Sequence, residues 1–127
     1  NIIDRRMIHS GWLDRLHNQG TKIFARSVFL QGLLLMPARE HPSYFKTWCS
    51  VFNQYEDWLF RNQISRVEAT LRFVLGIHQI SEIIVGVTSV NELRELVKLS
   101  TAGGLYVPDR ICSVDERLLN PSRWKIK

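Results

Sequence analysis

Cysteine is scarce in this sequence. Cys49 and Cys112 are its only two among 127 residues, too few and too far apart for a disulfide framework or a zinc site. A reduced, cytoplasmic setting is the simplest reading, and no metal is expected. Long apolar runs are missing as well. The longest, Val28 to Met36, is interrupted by Gln31 and Gly32 and falls short of the roughly 18 residues of a membrane span, so no membrane association is expected. Acidic residues are in deficit, 12 against 17 Lys and Arg, for a formal net charge of +5. The excess is mild and spread along the chain, apart from Arg123, Lys125 and Lys127 at its end. A nucleic-acid partner would need a clustered basic face, and none is expected. The chain opens on Asn1 rather than Met, which implies a natural start further upstream.

What is present can fold. With 45% hydrophobic and 23% charged residues the chain can bury a core. Ser-x-x-Glu patterns at Ser65–Glu68, Ser89–Glu92 and Ser113–Glu116 predict three capped helix starts. An earlier short helix is expected from about Ser10, burying Trp12, Leu13 and Leu16 and stopping at Gly20. Phe45, Trp48, Phe52, Tyr55 and Leu59 recur at three and four, which predicts a helix over about Ser43 to Arg61. Val67, Leu71, Val74 and Leu75 mark the next, from about Arg66 to Ile77. A further helix carries Val90, Leu93, Leu96 and Val97.

Lys22 to Val28 and Ile83 to Val87 read as strands. Ile83, Ile84 and Val85 are apolar at consecutive positions, as in a parallel strand buried on both faces. Strands joined through helices imply parallel pairing with a right-handed crossover. Two such strands leave open edges and ask for a larger sheet. After Ser100 the periodicity weakens. A loop at Gly103, Gly104 and Pro108 leads to a short helix from Val114 to Leu118 that ends at Asn120-Pro121, and Trp124 is expected to pin this tail to the body.

Two strand ends carry polar groups suited to an anion. The first strand runs into Arg26 and Ser27 and then Gly32, where a hydroxyl and loop N–H groups could meet phosphate oxygens; an ordinary strand-to-loop transition would read the same way. The second passes through Gly86 into Thr88, Ser89 and a helix N-terminus, which favours anions. Ser89 and Glu92 serve equally well as a capping box and nothing more.

Together these segments resemble the aldo/keto reductase superfamily. Arg26-Ser27-Val28-Phe29-Leu30-Gln31-Gly32-Leu33 is similar to the motif that ends the family's seventh strand. Val85-Gly86-Val87-Thr88-Ser89-Val90-Asn91-Glu92-Leu93 is similar to the one after its eighth. Asn1-Ile2-Ile3-Asp4-Arg5 resembles the stretch after strand six, and Ala69, Leu71 and Phe73-Val74-Leu75 fit the intervening helix. The likeness covers about residues 1 to 100, with 101 to 127 as a C-terminal tail whose short helix packs on the body.

The resemblance implies an α/β fold, the C-terminal portion of a (β/α)8 TIM barrel, incomplete on its own and ready to self-associate. It implies NAD(P) as cofactor, with hydride moving between the nicotinamide and a small carbonyl or sugar-like substrate. Carried over by position, Arg26 would lie against the nicotinamide. Ser27, Phe29, Gln31 and Gly32 would form the pyrophosphate loop, and Thr88, Glu92 and Glu95 would face the adenosine half. Several positions depart from the family. Val28 replaces a Pro, Pro37 a phosphate-binding Lys, Leu96 an Asn that holds adenine, and Glu92 the Arg or Gln of NADPH-specific members, which implies tolerance of NADH. The family's Asp, Tyr, Lys and His tetrad comes from the first half of the barrel. The resemblance therefore implies that this chain alone is inactive and that its partner is the N-terminal half. From another class, a small non-catalytic helical interaction domain would use the aromatic helix from Tyr44 to Phe60 as its contact face.

Overall fold

The computed structural model describes residues 1–126. The chain opens with two short helices, α1 (Arg6–His9) and α2 (Trp12–Asn18), and strand β1 (Phe24–Ala25). Tight 3-10 turns at Leu33–Leu35, Ala38–Glu40 and Ser43–Trp48 lead into the aromatic helix α3 (Cys49–Asn62). Helix α4 (Arg66–Leu75), strand β2 (Glu82–Ile83) and helix α5 (Val90–Ser100) follow, and the tail carries α6 (Glu116–Leu119) and a 3-10 turn at Pro121–Arg123. The architecture is mixed and mainly helical, with one parallel pair of short strands in which Phe24 faces Glu82 and Ala25 faces Ile83.

The strands are shorter than the apolar runs that encode them, because each finds only one neighbour among the described residues. They are also not buried on both faces. Ile23, Ala25, Ile83 and Val85 are half-buried against the helices. Phe24 is 49% exposed and Ile84 57%. Three consecutive apolar residues do not bring burial on both faces: the second face of the pair is open, since none of the described residues forms a layer over it.

The core sits beside the sheet. It gathers Ile2 and Ile3, the turn residues Val28, Leu30, Leu33 and Leu34, the aromatics of α3, Ala69, Phe73 and Val74 of α4, and Val107, Ile111, Leu118 and Leu119 of the tail. The predicted spacing on α3 is met by burial of Phe45, Trp48, Phe52, Tyr55 and Leu59, and Trp58 joins them. The first six residues of that stretch, however, are wound as a 3-10 turn that starts after Pro42. Helix α3 ends on Gln63 in the left-handed conformation.

Two of the three capping residues were legible. Ser65 and Ser89 accept from the N–H of Glu68 and of Glu92, at 3.1 and 3.2 Å. At the third site Asp115, not Ser113, caps α6, accepting from the Arg117 N–H at 2.9 Å. The Ser113 hydroxyl accepts from the Asp115 N–H instead, and Val114 stays outside the helix and exposed. A carboxylate nearer the helix displaces the serine. Trp12 is likewise exposed rather than buried. The Arg15 guanidinium lies over its ring, 4.9 Å from the centroid.

A buried arginine ties the two ends of the chain together. Arg5 is 3% exposed. Its guanidinium donates to the carbonyls of Ile2, Val107, Pro108 and Ile111 and to the Asp109 carboxylate, and lies 4.8 Å from the Phe73 ring. All five N–H groups are thereby engaged, which offsets the cost of burying the charge. Aromatic groups stitch the rest of the tail. The Trp48 indole donates to Asp115 at 3.1 Å, the Tyr44 hydroxyl to the Arg117 carbonyl at 2.9 Å, and the Trp124 indole to the Leu118 carbonyl at 2.9 Å, with Trp124 4.8 Å from Phe45.

Candidate functional site

The chain leaves β1 through a compact turn with an unusual backbone. Ser27, Leu30, Gln31 and Gly32 all have positive φ, at 58°, 47°, 54° and 83°. Such angles are unfavourable for a residue with a Cβ, so the turn needs anchors. Val28 and Leu30 supply them by pointing into the core, and hydrogen bonds from the Leu30 N–H to Ser27 and from the Leu34 N–H to Phe29 close it. Around these two buried residues Ser27 and Gln31 are exposed, and Phe29 and Gly32 are half-buried.

Those four residues, together with Val28, line one wall of an open groove of about 580 Å³. The opposite wall is the segment from Ile84 to Thr88 with Glu92, Glu95 and Leu96 of α5, and Leu35 and Val67 also line it. Seven of the eight residues singled out in the sequence thus border one space: Ser27, Phe29, Gln31, Gly32, Thr88, Glu92 and Glu95. Arg26 does not line it. It is exposed and shares the open side of β1 with Phe24, because side chains alternate along a strand.

The polar character of the groove is specific. Among the described residues it is lined by two carboxylates and by no Lys or Arg. Its donors are backbone N–H groups with the Ser27 hydroxyl and the Gln31 amide beside them. The N–H groups of Phe29, Gln31 and Gly32 find no hydrogen-bond partner among the described residues. Glu92 folds back on the start of α5. It accepts from the Thr88 N–H at 2.7 Å and from the Thr88 hydroxyl at 3.1 Å. These bonds hold its carboxyl below the ordinary 4.5, so it stays ionised through the neutral range beside a helix terminus that favours it.

Sequence reasoning missed the apolar floor. Ile84, Val85, Val87, Val67 and Leu96 come from three elements, and only tertiary packing brings them to one groove. It also missed Asn1, whose amide reaches the turn at Ser27.

None of the tyrosines stands free beside the groove. The Tyr44 hydroxyl is engaged by tail carbonyls. Tyr55 is buried, and burial pushes its hydroxyl well above the usual phenol range; it donates to Leu34. Tyr106 lies on the surface against another cavity. The aromatic helix is spent on the core. Of the residues that would form a contact face on it, only Phe60, 85% exposed, faces outward. Among the described residues no helix is long and apolar enough to cross a membrane. No protein-family model, no curated protein and no solved structure matches this chain.

Proposed function

We propose that this chain is the C-terminal part of an aldo/keto reductase barrel and that the groove between the Ser27–Gly32 turn and the start of α5 is one wall of its NAD(P) site. The reading rests on one observation: two motifs some sixty residues apart, picked out by resemblance, border the same groove. The residues present suit a dinucleotide. Unpartnered N–H groups of the turn suit the diphosphate, the Phe29 ring and the apolar floor suit a flat base or sugar face, and the carboxylates suit ribose hydroxyls. The open face of β1 and β2, with Phe24, Arg26 and Ile84, corresponds to the interior of a closed barrel.

The cofactor supplies a hydride when bound; the protein orients it and shields it from water. In this chain that work falls to Ser27, Phe29, Gln31 and Gly32 at the turn and to Thr88, Glu92 and Glu95 at the helix. The proton donor and its lysine would come from the N-terminal half of the barrel, which we propose as the partner, along with a small carbonyl or sugar-like substrate. Without cationic side chains in the groove, and with Glu92 ionised at its rim, a 2′-phosphate is met by like charge. NADH is therefore favoured over NADPH.

The test is a titration of the chain with NADH and with NADPH, followed by amide NMR. Signals of Ser27–Gly32 and of Thr88–Glu95 should move together, with weak affinity on the order of millimolar, tighter for NADH, and with Glu92→Arg reversing that order. Aldehyde reduction by the chain alone should not exceed the buffer blank. If neither segment responds at millimolar NADH, the reading fails.

A further inference from the structure

The turn that borders the groove is held from outside by a residue 26 positions away. We propose that Asn1 is a positioning residue for the ligand, setting the shape of the Ser27–Gly32 turn; the proposal rests on the dinucleotide reading of the groove. The Asn1 side chain works in two directions. Its Oδ1 accepts from the N–H groups of Ile3 and Asp4, at 3.0 and 2.9 Å. Ile2 and Ile3 are fully buried, so this small turn is fixed to the core. From that fixed point Nδ2 donates to the Ser27 carbonyl at 3.3 Å.

Ser27 is where the chain departs from the strand into left-handed backbone. Its carbonyl also accepts from the Leu30 N–H at 3.0 Å. Two donors, one from within the turn and one from Asn1, therefore define the plane of the peptide that joins Ser27 to Val28. That peptide sets how Phe29, Gln31 and Gly32 are offered to the groove. The buried Val28 and Leu30 fix the inner side of the turn, and Asn1 fixes its outer rim. A merely structural turn at Asn1 would need only the two bonds to Oδ1.

Asn1→Asp separates these roles. It keeps the acceptor for Ile3 and Asp4 and replaces the donor to Ser27 with an oxygen that the Ser27 carbonyl repels. Amide signals of Val28 to Gly32 should move in the free protein, NADH affinity should weaken about fivefold, the worth of one exposed hydrogen bond, and the thermal midpoint should hold. Ser27→Gly in the Asn1→Asp background should recover part of the affinity, because glycine takes positive φ without support. Wild-type signals at the turn together with wild-type affinity would overturn the proposal. So would a fall in stability that leaves the turn signals in place. If the unsubstituted chain binds no NADH, the dinucleotide reading falls, and the turn signals in the free protein alone decide whether Asn1 positions it.

Discussion

Gly104 lies where the tail crosses the end of α4, so close that the two backbones touch. A Cβ at Gly104 would stand 2.4 Å from the Gly76 Cα and 3.1 Å from its N. Neither neighbour is a flexible side chain that could move aside. The crossing is held on both sides by Arg72, whose carbonyl accepts from the Leu105 N–H at 3.1 Å and whose Nε donates to the Gly103 carbonyl at 2.8 Å. Gly103 itself has open space around its Cβ position. Gly104→Ala should therefore cost about 1–3 kcal/mol, as overpacking against backbone does. Gly103→Ala should leave stability unchanged or raise it slightly, because it restricts the unfolded chain. Urea unfolding of the two variants checks this, and equal midpoints would mean that the tail does not cross α4 in this way. The sequence shows two adjacent glycines and a loop; which of them is irreplaceable depends on a contact with residue 76.

At the scale of elements, helix starts are the best-determined feature. Ser65 and Ser89 cap as their spacing predicts, because the bond runs three residues along the chain and needs no tertiary partner. The reciprocal arm of the box is another matter. Glu68 turns to Arg72, one turn on, at 2.8 Å, and Glu92 bonds chiefly to Thr88, with the Ser89 N–H a lesser partner. At α6, Asp115 is drawn in by the Arg117 side chain, by its N–H and by the Trp48 indole. The Arg117 hydrogen bonds hold its carboxyl far below the ordinary 3.8, as the Thr88 bonds hold that of Glu92 below 4.5. A carboxyl that is more acidic when folded stabilises the protein above its unfolded value, and that contribution is lost as protons bind below it. The melting temperature should thus be flat from neutral pH to about 5 and fall as the pH drops through the ordinary carboxyl range and below. Asp115→Asn should lower it at neutral pH and make the acid limb shallower. An acid limb identical to that of the unsubstituted chain would show that Asp115 does not hold α6.

The molecule as a whole has a finished side and an unfinished one. The finished side is the core between α3, α4 and the tail. The unfinished side carries Phe24, Ile84 and Val87 beside the strands and Val90, Leu93 and Val97 along α5, all exposed. Among the residues of α5 only Leu96 is buried, and a cavity of about 300 Å³ lies between α5, α4 and β2 where α5 packs on α4. The strand pair also presents backbone edges that parallel sheets normally pair. Exposed apolar residues of this kind drive association. The chain should self-associate with rising concentration in light scattering, and Leu93→Lys with Val97→Lys should reduce this without unfolding α4. A clean monomer at several hundred micromolar would contradict it.

Local chemistry settled what it could reach by itself. Capping at Ser65 and Ser89, the aromatic stripe of α3, the turn after β1 and the parallel sense of the two strands all follow from residues within one or two turns of each other, or from the helices between them. Tertiary structure decided the rest. Lys22 to Val28 and Ile83 to Val87 shrink to short paired segments because strand length is set by neighbours, which hydrophobic pattern does not supply. Trp12 is exposed because none of the described residues but Arg15 lies over its face of α2, while Leu13 on the same helix is buried, and Arg5 is buried because the tail returns to surround it with carbonyls. The groove belongs to the same class. Ser27 and Glu92 were legible as polar residues after strands. Their meeting across one space depends on the pairing of β1 with β2 and on the seat of α5, contacts made between residues too far apart in the chain for any local pattern to encode.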